Sequence, residues 1–88
     1  MKLLLIEDNP TLSLWLAKTL EQHAFALEAV QDGESADQLL RTNRYDVVLL
    51  DLNLPRLSGK NVLRRMRQRG DATPVMILTA SGSIDEKV

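Results

Sequence analysis

The chain has 88 residues, 44% of them hydrophobic and 26% charged, with a net charge of -1. That composition makes one small globular domain at most and excludes both a disordered segment and a polycation. There is no cysteine and a single histidine, His23, which excludes disulfides, thiolate nucleophiles, zinc-thiolate sites and histidine-based metal or triad chemistry. What chemistry remains belongs to carboxylates, hydroxyls and a metal. A chain of this size buries only about 60–65% of its unfolded surface on folding, so its stability margin is thin. No run reaches the length of a membrane span, and Lys2 precedes a short apolar run that ends in two acids, which is not a signal peptide. No membrane association and a cytoplasmic location are expected. Without repeats, low-complexity stretches or a linker, a single domain over 1–88 is expected.

Lys2-Leu3-Leu4-Leu5-Ile6-Glu7-Asp8 is a short apolar run ending in acid, the pattern of a buried parallel strand. Asn9-Pro10 starts a helix, with Asn9 able to accept from orphan amides and Pro10 at the first helical position. Leu12, Trp15, Leu16 and Leu20 form one stripe of a helix running to about Gln22, which makes Trp15 a core residue. His23, near the helix end, is a capping or surface residue. Phe25 to Val30 is a less apolar strand suited to a sheet edge, ended by Gln31-Asp32-Gly33. A second helix follows, with a narrow stripe of Ala36, Leu39 and Leu40, closed by Thr42-Asn43-Arg44. From Tyr45 the chain enters its most apolar strand, and Val47 to Leu50 deliver Asp51 to a point where Pro55 and Gly59 turn the chain. A third helix runs from Gly59 to about Arg69 with Val62, Leu63 and Met66 inward, and Gly70 stops it. Along it Lys60, Arg64, Arg65, Arg67 and Arg69 are the one basic concentration, best assigned to a solvated outer face. Pro74 to Thr79 is a fourth strand, delivering a hydroxyl. A loop of small residues and a nascent helix capped by Ser83 come last.

Strands joined in turn by helices predict an α/β fold, a doubly wound parallel sheet whose carboxyl ends share one edge. Glu7-Asp8, Asp51 and Thr79 then meet there, where ligands bind in open sheets of this kind. Taken alone, Asp51 serves equally well as a cap of the following turn. Two adjacent carboxylates plus a third, all oxygen donors, suit magnesium. Held so close they repel and raise at least one pKa unless a divalent cation neutralises them. A carboxylate oxygen can also be the nucleophile of phosphoryl transfer, forming an aspartyl phosphate, with the Thr79 hydroxyl as a donor to the phosphoryl group. Spacing alone does not decide which acid is the nucleophile. A metal-dependent phosphatase using paired acids is the competing chemistry, disfavoured by the lack of a separate general base.

Glu7-Asp8-Asn9 after the first strand, Asp51-Leu52-Asn53-Leu54-Pro55-Arg56-Leu57-Ser58-Gly59 after the third and Thr79-Ala80 after the fourth resemble the receiver domain of bacterial two-component response regulators. The resemblance covers the whole chain and is closest to receivers of the winged-helix transcription-factor class. It implies a flavodoxin-like fold with strand order 2-1-3-4-5 and a signalling module rather than an enzyme. By residue, it makes Asp51 the acceptor of a phosphoryl group from a partner sensor histidine kinase. Asp8 and Asp51 become magnesium ligands together with the backbone carbonyl of Asn53, and Glu7 acts through metal-bound water. Thr79 becomes the switch hydroxyl, and phosphorylation shifts the population between two arrangements of the domain. DNA is reached only through a separate effector domain. Receivers continue to a fifth strand, whose lysine pairs with the phosphoryl group, and a fifth helix. Against that pattern the chain is expected to be a truncated receiver, order 2-1-3-4, with no lysine in that position, since Lys87 follows the fourth strand. Its Val75 to Leu78 edge, or the sheet face left uncovered beside the first helix, is then expected to mediate self-association, and a phosphorylation-deficient interaction module is the alternative function.

Overall fold

Four parallel strands carry the computed structural model, which describes residues 1–78. The elements are β1 (Lys2–Ile6), α1 (Pro10–Glu21), β2 (Ala26–Val30), α2 (Gly33–Thr42), β3 (Val47–Asp51), α3 (Gly59–Gln68) and β4 (Val75–Leu78). The sheet order is β2-β1-β3-β4. This is the order expected from the sequence, a receiver-type doubly wound sheet as far as β4. The two strands with the longest apolar runs, β1 and β3, lie side by side in the middle, in a register that pairs Leu3 with Val47 and Ile6 with Leu50. The less apolar β2 takes one edge, and none of its residues is buried.

Side chains on a strand alternate between faces, so each central strand supplies two layers. Leu4, Ile6, Val48 and Leu50 point to one side, where Ala36 and Leu40 of α2 and Val62 and Met66 of α3 cover them in a single core cluster. Leu3, Leu5 and Leu49 point to the other side and are also buried. Each helix begins with a side-chain oxygen on its free amides. Asn9 accepts from the amides of Thr11 and Leu12 at 3.0 and 3.1 Å, Asp32 from Ser35 at 2.7 Å, and Ser58 from Asn61 at 3.2 Å. Gly70 ends α3 as expected, in the left-handed region with φ of 82°, its amide and that of Asp71 donating back to Arg67 and Met66.

Two expectations are corrected. Trp15 is not a core residue: it is 61% exposed, beside Leu14 at 58%. The covered side of α1 runs instead through Ser13, Leu16, Ala17 and Leu20, with Ser13 the buried residue among them. At about 100° per residue, Trp15 lies some 200° from Ser13, on the outer side. The basic concentration of α3 is not wholly a solvated face either. Arg65 and Arg69 turn back to α2, where with Arg41 they grip the buried carboxylate of Asp37 at 3.1, 3.0 and 3.2 Å. Lys60, Arg64 and Arg67 remain exposed. No described helix is long and apolar enough to cross a membrane.

Candidate functional site

Because Ile6 and Leu50 are register partners, the residues after them arrive together at the carboxyl edge of the sheet. Those residues are Glu7 and Asp51. Both are only 1% exposed, whereas Asp8 is exposed at the rim. One carboxylate oxygen from each of Glu7, Asp8 and Asp51 lies within 4.8 Å of the others. The backbone satisfies half of the buried pair: the amide of Asn9 donates to Glu7 Oε2 at 3.1 Å, and that of Asn53 to Asp51 Oδ1 at 3.0 Å. The other two oxygens, Glu7 Oε1 and Asp51 Oδ2, are enclosed and have no hydrogen-bond partner.

That arrangement is electrostatically incomplete. Burial raises the Glu7 carboxyl above its usual range, and the neighbouring Asp51 carboxylate pushes it further the same way, against the lowering effect of the Asn9 amide. Buried acceptors facing one another without a donor call for a proton or a cation between them. The donor set is all oxygen, with no nitrogen or sulfur, so the residues present fit a hard divalent cation such as magnesium.

The loop after Asp51 is shaped by two glycines. A Cβ on Gly59 would stand 2.4 Å from the carbonyl oxygen of Asp51, and one on Gly33 would stand 1.8 Å from that of Leu57. Only hydrogen fits at either place, so the starts of α2 and α3 close directly on the segment carrying Asn53 and Pro55. The Gly33 amide donates to Pro55 at 3.3 Å and the Gly59 amide to Leu52 at 3.0 Å. Arg56 takes a positive φ of 70° at the loop's tip. Its ion pair with Glu34, at 3.5 Å between side chains 67% and 61% exposed, adds little.

Of the residues singled out from the sequence, the structure brings together Glu7, Asp8 and Asp51 and places Asn53 two residues beyond, its amide on Asp51. Thr79, Ser83 and Lys87 lie outside the described residues. Sequence reasoning missed the Asp37 cluster, although its signal was present: Asp37 continues the buried series Gly33, Ala36, Asp37, Leu40, an acid at a core position of a helix.

The chain matches the response regulator receiver domain family over residues 3–88. It is 44% identical over its whole length to the transcriptional regulatory protein TctD of Salmonella typhimurium, covering 39% of that protein. The chain thus spans about two fifths of the length of the curated relatives it matches. Among solved structures, the receiver domain of a Francisella response regulator superposes with a TM-score of 0.88 at 31% identity, covering 94% of this chain and 69% of that one. The receiver domain of a Pseudomonas aeruginosa sensor histidine kinase, which has a magnesium ion coordinated in its active-site cleft, superposes with a TM-score of 0.89 at 30% identity, covering 98% and 72%. The sheet order, the acidic edge and these likenesses agree, and the chain belongs to the response regulator receiver domain family.

Proposed function

We propose that Asp51 accepts a phosphoryl group from the phosphohistidine of a sensor kinase, and that a longer parent protein uses the resulting change to regulate transcription through an effector domain. One observation carries this reading: Asp51 is held by the Asn53 amide at Oδ1 while Oδ2, enclosed and unpartnered, is left as an available nucleophile. Asp8, Asp51 and the backbone carbonyl of Asn53 would hold magnesium, with Glu7 acting through bound water. When bound, the cation neutralises charge on the transferring phosphoryl group. The protein's own part is to orient and exclude water. The tight closure of Gly59 on β3 fixes the Asp51 backbone, and the Asn9 amide, donating to Glu7 Oε2, favours the ionised form of Glu7 beside the position of the cation. Thr79 comes next in sequence after Leu78, the register partner of Asp51, and the likeness to receivers makes it the proposed switch hydroxyl.

The test is a magnesium titration followed by thermal melting and Trp15 fluorescence, then mass spectrometry after adding acetyl phosphate. Saturable stabilisation by magnesium that Asp8→Asn removes, and a gain of one phosphoryl group that Asp51→Asn abolishes, are expected. A folded protein with no response to magnesium and no phosphoryl gain would overturn the proposal.

A second reading, self-association of this polypeptide, is favoured by the edge strand β4, on which Met76 and Ile77 are 59% and 40% exposed.

A further inference from the structure

At the opposite edge of the sheet from the acidic cluster, about 16 Å away along β3 at roughly 3.3 Å per residue, the segment between α2 and β3 and the segment between α3 and β4 enclose a concavity of about 550 Å³. Arg41, Asn43, Arg44, Arg69, Asp71 and Thr73 contribute to its lining. That volume is of the size that small-molecule sites occupy.

The charge in this concavity is unbalanced. Arg41 and Arg69 lean on Asp37 together with Arg65, so three guanidiniums share one carboxylate and leave a surplus of positive charge. Arg44 is exposed and engages neither a carboxylate nor a carbonyl among the described residues. Asp71, the one acid in the lining, is occupied by its own loop, accepting from the Thr73 amide at 3.0 Å and the Thr73 hydroxyl at 2.6 Å.

The usual reason for cations here would be the two helix C-termini, whose free carbonyls attract them. The chain's own groups meet most of that need at the end of α3 and part of it at the end of α2. At the end of α2 the Leu39 carbonyl accepts from the Asn43 amide and side chain, and the Gln38 carbonyl from the Thr42 hydroxyl. At the end of α3 the carbonyls of Arg65, Met66 and Arg67 accept from the amides of Arg69, Asp71 and Gly70. Among the described residues the guanidinium that bonds backbone carbonyls here is that of Arg67, on Asp71 and Thr73, and those of Arg41, Arg44 and Arg69 are not consumed as caps. Each keeps donors in a planar fork that matches a phosphate group, and Asp37 fixes the position of two of them.

We propose that this concavity is a second site, binding a phosphate-bearing small molecule through Arg41, Arg44 and Arg69. A recessed site favours a small ligand over a nucleic-acid backbone, which would track an extended basic surface such as the Lys60, Arg64 and Arg67 side of α3. The acidic cluster takes no part, so the proposal stands or falls separately from phosphorylation of Asp51.

The experiment is amide chemical-shift titration of the 15N-labelled 88-residue chain with inorganic phosphate, pyrophosphate and AMP in turn. Chelator is present throughout, so that the acidic cluster is not recruited through a metal. Saturable shifts confined to Asn43–Arg44 and Gly70–Thr73 are expected, with Arg44→Gln and Arg69→Gln each weakening binding about tenfold, as loss of a charged hydrogen bond does. Tighter binding of AMP than of inorganic phosphate would assign the site to an organic phosphate ester, and the reverse to the free anion. Shifts reproduced by sodium chloride at matched ionic strength, or unaffected by either substitution, would overturn the proposal. So would duplex DNA that binds through Lys60 and Arg64 and displaces the small anions.

Discussion

Asp37 is an acid where the periodicity of α2 has an apolar side chain on either side. Its side chain is only 5% exposed, yet it is fully engaged, because Arg65 and Arg69 arrive from α3 and Arg41 from its own helix. Burial pushes its carboxyl up, but the guanidiniums of Arg69 and Arg65 outweigh burial and hold it below its ordinary value of 3.8. A depressed carboxyl pKa adds stability above the unfolded-state value and loses it as pH falls through the folded value. Asp37→Asn leaves three guanidiniums facing one another without a counter-charge, and is expected to destabilise the fold by about 3 kcal/mol at neutral pH. Chemical denaturation at several pH values checks both parts. Wild-type stability falls as pH drops below about 3.8, and the variant shows a shallower fall, the remainder coming from Asp32 and Asp71, whose carboxyls are also lowered by their loop and cap hydrogen bonds.

At the scale of elements, the two glycines of the Asp51 loop decide how closely helices approach the sheet edge. Gly59→Ala places its Cβ 2.4 Å from one backbone oxygen and 2.6 Å from the Cα of Leu52, neither of which can swing aside as a side chain can. The expected loss is about 2–3 kcal/mol, with weaker magnesium binding because the displaced backbone belongs to Asp51 itself. Thermal melting with and without the cation measures both. The sequence made this loop legible, since Pro55 and Gly59 flank an obvious turn after an apolar run, and it made the four strands and three helices of the described residues legible through run length and capping residues. Trp15 was not legible, because a helix stripe read from Leu12, Trp15, Leu16 and Leu20 fits the 3.6 period almost as well as the true one through Ser13. What decides between them is a small polar residue that packs inward, and hydropathy counts that against burial. The end of α1 was equally hidden: the chain leaves the helix through Ala24 at a positive φ of 66°, a place where glycine is the usual signal. The Asp37 cluster needed knowledge of which helices are neighbours, which no single element carries.

At the scale of the whole sheet, its two edges among the described residues are unlike. The β2 edge is a partly exposed strand with one charge, Glu28, at its middle. On β4, adjacent residues Met76 and Ile77 are both exposed, and because neighbours on a strand face opposite ways, apolar surface opens on both sides of the sheet at once. The register makes the sides explicit: Met76 pairs with Leu49 of the α1 side, and Ile77 with Leu50 of the side covered by α2 and α3. On the α1 side, Leu14 and Trp15 add further exposed apolar area. Edge strands of this character pair with other chains unless a charge interrupts them. Sedimentation of the 88-residue polypeptide across a range of micromolar concentrations is therefore expected to show mass increasing with concentration. Met76→Lys sets a charge on the edge at a side chain already 59% exposed, so it is expected to return the protein to monomer at little cost in stability, within about 0.5 kcal/mol. Association that persists unchanged in Met76→Lys but disappears in Trp15→Ser would move the contact from the strand edge to the outer side of α1. A monomer at every concentration would show that four strands with an apolar edge are tolerated in solution without a partner.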